Sequence, residues 1–379
     1  MDHDLIVVGG GPVGTSIACA SSGLSVALVA HERRPLRGSP AGGFDARVYT
    51  LTPGNVAFLR RLGAMPEARA TPVYAMRVHG DAGARIDFDA YRAGVAALAW
   101  TVEDEVLQDA LWNALRVRVL APAQCAELSV EDRYVRLRLA DGQALAAKLI
   151  VGADGAKSFV REQAGIAMRE RDYGQTAVVA NFACERPHRN TAFQWFQGGP
   201  VLALLPLPGS HVSMVWSLPA EEAARVERLE AEALAREVES ASNHALGQLA
   251  LVTPARSYPL RRLAAQRMVA PRVALAGDAA HVVHPLAGQG LNLGLQDARI
   301  LVQVLESREP VRDPGELGVL RRYERARAEP ILAMDAMVDG LYRLFAAKGR
   351  GPARLRNTGL SLTNRMTLVK NLLIRQAMS

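Results

Sequence analysis

Leu5-Ile6-Val7-Val8-Gly9-Gly10-Gly11-Pro12-Val13-Gly14 decides the fold. Four apolar residues read as a short buried strand. Three glycines and a proline follow, then a helical pattern to about Ala20, then a second strand-like run from Leu24 to Val29. Strand, glycine turn, helix and strand make the first half of a βαβ dinucleotide-binding unit. Gly9, Gly11 and Gly14 suit a tight turn, close approach of backbone to a pyrophosphate, and packing of helix on strand. The helix start leaves N–H groups that no intrahelical carbonyl can reach, a ready place for an anion. Its position directly between strand and helix makes this match far more specific than glycine spacing alone.

The ribose-binding acid is less plain. Ala30 stands at the end of the second strand, where a carboxylate is usual. Glu32 points to the same side if the strand continues, at about the expected 20 residues from Gly9. Glu32, with Arg33 beside it, is therefore the candidate for the adenosine end; a solvated surface glutamate is the equal alternative.

Two later segments repeat the strand-then-aspartate theme. A hairpin around Asp141-Gly142 leads into Val151-Gly152-Ala153-Asp154-Gly155. Val273 to Ala276 leads into Gly277-Asp278-Ala279-Ala280-His281, then His284-Pro285-Leu286-Ala287-Gly288-Gln289-Gly290, and a helical pattern starts near Gly290. An aspartate there can accept hydrogen bonds from a polyol, and the helix start can face an electron-rich ring edge. One segment thus suits both the ribityl chain and the ring of a flavin. Between these segments, Thr176 to Leu218 is strand-like, Ala220 to Ala245 is helical and charged, and Ser257 to Leu260 precedes a return to the first unit. Earlier in the chain, Phe44-Asp45-Ala46-Arg47 leads into a helix holding Asn55 to Leu62. Strands are expected near Tyr74–His79 and Ala84–Phe88, and a helix over Glu103 to Leu115. Past Gly290 the pattern is helical to the end.

The expectation is an α/β chain: a Rossmann-like FAD-binding domain, an inserted and mostly antiparallel substrate sheet, and a helical C-terminus. The expected divisions are residues 1–72, 98–170 and 268–330 for the cofactor domain, 73–97 and 171–267 for the substrate domain, and 331–379 for the helical segment.

Composition narrows the function. With 379 residues and 49% apolar content the chain can bury a sizeable core. No run approaches the roughly 18 to 20 apolar residues of a membrane span, and the start reads directly into a strand, so no secretory signal is expected. Cys19, Cys125 and Cys184 are far apart, which argues against disulfides, zinc or a dithiol centre. The net charge of +7 is uneven: after Asp339 there is no acidic residue, while Arg343, Lys348, Arg350, Arg354, Arg356, Arg365, Lys370 and Arg375 alternate with leucines and methionines. Such a tail suits an anionic lipid surface or a helix packed on the protein with a solvated basic face. No motif for nucleic acid is visible, and none is expected as a partner. His281, His284, Phe193, Trp195, Phe196 and Trp216 read first as core or loop residues.

Gly9-x-Gly11-x-x-Gly14, Gly152-x-Asp154-Gly155 and Gly277-Asp278, in that order, resemble the group A flavoprotein aromatic hydroxylases, the para-hydroxybenzoate hydroxylase superfamily. The likeness covers nearly the whole chain. Within it, Gly43-Phe44-Asp45-Ala46-Arg47, Gly199-Pro200, Leu205-Pro206-Leu207, Val215-Trp216-Ser217, the His284–Gly290 loop and Leu373–Met378 are similar to the ubiquinone-biosynthesis hydroxylases. The resemblance implies FAD, with NAD(P)H as a transient reductant. Gly9, Gly11, Gly14 and Arg47 would hold the pyrophosphate region. Asp154 and Gly155 would serve FAD and the reductant. Gly277 and Asp278 would meet the ribityl chain or the pyrophosphate region. Gly290, Leu291 and Asn292 would offer backbone N–H groups to the flavin pyrimidine. Pro285, Gly288 and Gln289 would form the loop at the reacting ring face, with no acid or base assigned. Three departures stand out: Ala30 in place of the acid, a compact Ala20–Gly23 connection, and Glu103-Asp104 where the family often has Glu-Asn.

The implied reaction takes O2 and NAD(P)H and puts one oxygen atom on an electron-rich ring, foremost a polyprenylated phenol of ubiquinone biosynthesis. The implied location is the cytoplasm, peripheral to the inner membrane, with the basic C-terminus meeting the membrane surface or other quinone-pathway proteins. A small soluble aromatic substrate, or a flavin-retaining scaffold without turnover, are the alternatives. The absence of a second GxGxxG and of a CxxxxC pair disfavours disulfide reductases, and Trp216-Ser217-Leu218-Pro219 does not match the halogenase WxWxIP motif.

Overall fold

The computed structural model describes residues 2–32, 43–80, 83–283 and 290–346. Three sheets organise them. The first has the order Val269–Ala270, Val273–Leu275, Ala144–Gly152, His3–Val8, Val26–Val29, Arg118–Leu120. Its inner pairs are parallel, and Cys125–Val130 and Val135–Leu139 extend it as an antiparallel meander. The central strands are apolar where both faces are covered, towards their carboxyl ends; Leu5, Ile6 and Val7 have no exposed surface. Helices Pro12–Ala20 and Gly290–Glu306 pack on it, and Ile17, Ala18, Ala298 and Leu301 join its core.

Register fixes where chemistry can occur. Val8 pairs with Gly152 on one side and Val29 on the other, and Gly152 pairs with Leu275. The three glycine and aspartate motifs therefore leave the carboxyl ends of three adjacent parallel strands, where doubly wound folds bind ligands.

The second sheet runs Arg85–Asp89, Ala75–His79, Thr191–Phe196, Val201–Leu207, His211–Pro219, Met168–Cys184, Arg256–Ala265, His281–Val282, with Leu249–Leu251 beside Met168–Cys184. Only Thr191–Phe196 against Ala75–His79 is parallel among these pairings. One face buries Val178, Phe182, Trp195, Trp216 and Met214 under helices Ala220–Glu227 and Ala231–Ala241, so these tryptophans are core, as expected.

A third, three-stranded sheet joins Val48–Leu51, Ala99–Glu103 and Thr71–Val73. The strand Val48–Leu51 escapes a reading that passes from Arg47 straight to a helix. It is short, and the strand it pairs with, Ala99–Glu103, lies some 50 residues away along the chain. The helix Pro53–Arg61 follows it, capped by Thr52 Oγ1 accepting from the Asn55 N–H.

Two expected helices are broken. The run from Ala220 to Ala245 divides at 228–230 into two, where Glu230 is the N-cap of the second. The C-terminal pattern stops at Glu306 and resumes as Leu317–Ala346. Pro310 and Pro314 lack the N–H a helix interior needs, and Asp313 Oδ1 accepts from the Gly315 N–H and from Arg272 instead.

Candidate active site

A cavity of about 540 Å³ lies between the first two sheets. Gly11, Pro12 and Val13 from the first motif, Ala153 and Gly155 from the second, and Ala276 and Asp278 from the third line one side, together with Gly290 and Leu291. Val73, Met76, Ala177, Val179, Ala192, Phe193, Ala203, Leu205 and Val215 line the opposite side. The three motifs and the inserted sheet thus face one space.

Glycine is dictated where the motifs pack. Gly9 sits at φ +122°, and a Cβ there would overlap the Ala153 carbonyl. A Cβ at Gly14 would overlap the Gly9 carbonyl oxygen and lie 3.3 Å from Ala153 Cβ. Gly11 differs: its Cβ direction is empty to 4 Å, and it is the N-cap of Pro12–Ala20 with no side chain capping the helix. That helix start lines the cavity through Gly11, Pro12 and Val13, and N–H groups without intrahelical partners suit a pyrophosphate there.

Arg47 brings a cation to the site. Its guanidinium stands 5.3 Å from the Tyr49 ring centroid and 5.9 Å from that of Tyr258, and 3.8 Å from Asp104. The loop that carries it is held by buried Glu103. Glu103 accepts the Asp45 N–H and takes Nε and Nη2 of Arg69 at 2.9 and 2.6 Å, while Asn181 Nδ2 of the large sheet donates to the Asp45 carbonyl. Asp278 is water-accessible yet densely enclosed, because the surface it exposes is cavity wall. Burial raises its carboxyl above the ordinary value, partly offset by Arg47 and His281. Asp104 is raised for the same first reason, offset by Arg47 and a Gln108 hydrogen bond.

A family model described as an FAD binding domain matches residues 2–335. The chain belongs to this FAD-binding family. It is 35% identical over 382 residues to the ubiquinone hydroxylase UbiL of Rhodospirillum rubrum, across 99% of this chain and 89% of that one. It is 33% identical over 392 residues to the 3-demethoxyubiquinol 3-hydroxylase of Escherichia coli, across 99% and 98%. Among solved structures, the p-nitrophenol 4-monooxygenase PnpA of Pseudomonas putida matches with a TM-score of 0.79 at 18% identity, covering 99% of this chain and 98% of that one, a likeness of fold. The chain is an FAD-dependent monooxygenase, of a family in which NAD(P)H is the typical reductant.

Within this flavoprotein the expected residues divide into groups. Gly11, Arg47, Gly155, Asp278, Gly290 and Leu291 line the cavity; Gly9, Gly14 and Gly277 shape it from behind. Asp154 directs its carboxylate to its own loop, accepting from Ser158 Oγ and from the Val160 N–H, so its neighbours Ala153 and Gly155 supply the wall. Asn292 is buried and serves as a tie: its Oδ1 accepts from the Thr52 N–H and from Asn55 Nδ2, both at 2.9 Å, and its Nδ2 donates to the Thr50 carbonyl at 2.7 Å. The second strand stops at Val29, and Glu32 lies in an exposed bend beyond it, so the strand continuation that would aim Glu32 inward does not occur. Arg33, His284, Pro285, Gly288 and Gln289 lie outside the described residues, as does the basic tail from 347 onward.

Several residues had no assigned role in the sequence. Trp112 Nε1 donates to the Gly10 carbonyl at 2.9 Å and braces the glycine turn. A Cβ at Gly294 would lie 2.6 Å from Val13 Cγ2, so glycine there permits the helix–helix approach that closes the site. Asp104 and Gln108 line the cavity on the turn after Glu103. The visible signal for the last pair was the Glu103-Asp104 departure itself.

Proposed function

We propose that the chain hydroxylates the ring of a polyprenylated phenol in ubiquinone biosynthesis. The observation that carries this reading is the single cavity joining the FAD motifs to an apolar roof. The strands Thr191–Phe196, Val201–Leu207 and His211–Pro219 present Ala192, Phe193, Gln194, Ala203, Leu205 and Val215 to it, and none of these ionises. Such a roof suits a ring with an apolar substituent. The named activities of the R. rubrum and E. coli relatives agree with it.

Bound FAD supplies the electron transfer and oxygen chemistry. In this reading the residues do the rest. The uncapped start of Pro12–Ala20 and Arg47 hold the pyrophosphate, where a planar cation suits phosphate oxygens. Asp278 accepts from the ribityl hydroxyls, and Gly290 to Asn292 give backbone N–H groups to the ring edge. Pro285, Gly288 and Gln289 belong by sequence to the loop at the ring face, and Glu32 with Arg33 to the adenosine end. The apolar roof keeps water from the reacting atoms. Residues 1–72, 98–170 and 268–330 act as the cofactor unit, and 73–97 with 171–267 as the substrate unit. No helix among the described residues is long and apolar enough to cross a membrane; the basic run after Asp339 gives a peripheral hold on anionic lipid, which co-sedimentation with phosphatidylglycerol vesicles tests.

The decisive experiment supplies holoenzyme with NAD(P)H, labelled 18O2 and a detergent-dispersed prenylated phenol. The expected product carries one labelled oxygen on the ring. Labelled product from small soluble phenols alone would replace the substrate assignment, and no labelled product from any phenol would support the scaffold reading.

A further inference from the structure

Asp297 is fully buried in the helix Gly290–Glu306, and three donors converge on its carboxylate. The Gly277 N–H donates to Oδ2 at 2.9 Å, His281 Nε2 lies 2.6 Å from the same oxygen, and Arg327 Nε donates to Oδ1 at 2.6 Å. His281 and Arg327 are themselves 5% and 2% exposed, so this is a sealed charge cluster. Burying charges costs more than a well-packed apolar cluster of the same volume. Its placement is therefore the informative point.

Asp297 does not line the cavity, but it grips both sides of a segment that does. Gly277 leads directly into Asp278, and Gly290 and Leu291 begin the helix that carries Asp297. Arg327 arrives from the separate helix Leu317–Ala346 and also donates Nη2 to the Leu293 carbonyl at 3.2 Å and Nη1 to Gln296 Oε1 at 3.1 Å. The cation that compensates Asp297 thus belongs to the C-terminal helix.

We propose that Asp297 is the positioning residue of the FAD site, fixing the Gly277-Asp278 turn against the start of Gly290–Glu306, and that Arg327 makes the C-terminal helix part of that site. The proposal rests on FAD binding and is independent of the substrate. Because coupling is reciprocal, FAD occupancy and docking of the C-terminal helix strengthen each other.

The test is an FAD titration of apoprotein, followed by flavin fluorescence, with the apoprotein melting temperature measured alongside. Asp297→Asn is expected to raise the FAD Kd about 10- to 100-fold, the weight of a charge-assisted hydrogen bond set. His281→Leu should do likewise, while His281→Gln keeps an N–H donor and stays within about threefold of the parent. Tyr323→Phe is the control. Tyr323 is fully buried one turn before Arg327 and donates Oη to the Leu275 carbonyl at 2.8 Å rather than to Asp297. It should lower the apoprotein melting temperature and leave Kd within about threefold. A parental Kd for Asp297→Asn, or an equal weakening by Tyr323→Phe, overturns the proposal. Should Asp297→Asn yield no folded protein, equal Kd values for the two His281 variants overturn it.

Discussion

Gly11 and Gly14 belong to one motif but do different work, and alanine separates them. At Gly14 a Cβ would fall well inside contact distance of the Gly9 carbonyl oxygen, with Ala153 Cβ only 3.3 Å away on another side. A backbone carbonyl in a strand-to-helix turn cannot rotate aside, so the turn itself must shift. Overpacking of this kind costs about 1–3 kcal/mol, and Gly14→Ala is expected to destabilise the apoprotein by at least that. At Gly11 the Cβ meets nothing within 4 Å and the backbone sits at φ −75°, ψ 177°, which alanine adopts freely. Alanine is a poorer N-cap than glycine, but it also narrows the unfolded ensemble by about 0.4–1 kcal/mol. The two nearly cancel, and the apoprotein should keep its stability to within about 1 kcal/mol. The new methyl group instead stands at the cavity wall, against the proposed pyrophosphate position. Gly11→Ala should therefore raise the FAD Kd about tenfold or more, the cost of one lost close backbone contact to an anion. Urea unfolding of apoprotein and FAD titration read the two effects independently. A Gly11→Ala protein that binds FAD normally, or one as unstable as Gly14→Ala, would refute the assignment of Gly11 to ligand and Gly14 to packing.

Removal of the cation at Arg47 by Arg47→Ala should weaken FAD about 10- to 100-fold without unfolding the protein, since the side chain is half exposed to the cavity; unchanged Kd would reassign the pyrophosphate contact. Asp278 and Asp297 predict opposite pH behaviour in the apoprotein. Asp278 has a folded pKa above 3.8, so the native state binds the extra proton and stability rises as pH falls from that raised value towards 3.8. Asp278→Asn should be more stable than the parent at pH about 7 and lose that advantage by pH about 4, checked by urea unfolding across the range. Asp297 is held below 3.8: burial pushes it up, but His281, Arg327 and the Gly277 N–H outweigh this. Its stabilisation is present above 3.8 and lost as pH falls through the folded value, so Asp297→Asn should cost about 3–5 kcal/mol at neutral pH and less in acid. Ala203→Phe places a ring in the roof of the cavity; FAD affinity should hold while hydroxylation of the prenylated phenol falls at least about tenfold, read by product mass spectrometry, because overpacking by even a few methylenes costs about 1–3 kcal/mol.

Local rules carried much of the fold. Leu5–Gly14, Val151–Gly155 and Val273–Asp278 each state a strand and the glycine turn that ends it, because those backbone requirements are met by neighbours in the chain. The apolar runs Ala192–Phe196, Val201–Leu205 and Val212–Trp216 likewise announced an inserted sheet. What the sequence left unread shares a cause. Val48–Leu51 is a strand because Ala99–Glu103 pairs with it, and Glu32 sits in an exposed bend because the second strand ends at Val29. Neither fact resides in the residues beside them. Asn292 joins Thr52 across 240 positions and Arg327 joins Asp297 across 30; no periodicity records such a pairing. Three strand-ending glycine and aspartate motifs of an FAD-binding chain and an inserted sheet were legible without coordinates. That those ends share one cavity with an apolar roof, which glycines line it and which pack on backbone, and that the Asp297 carboxylate outside it bonds to segments on either side, emerged only with the folded chain. Propensity and turn chemistry act over a few residues, whereas register, close packing and the pairing of buried charges act between segments that meet only when the chain has folded.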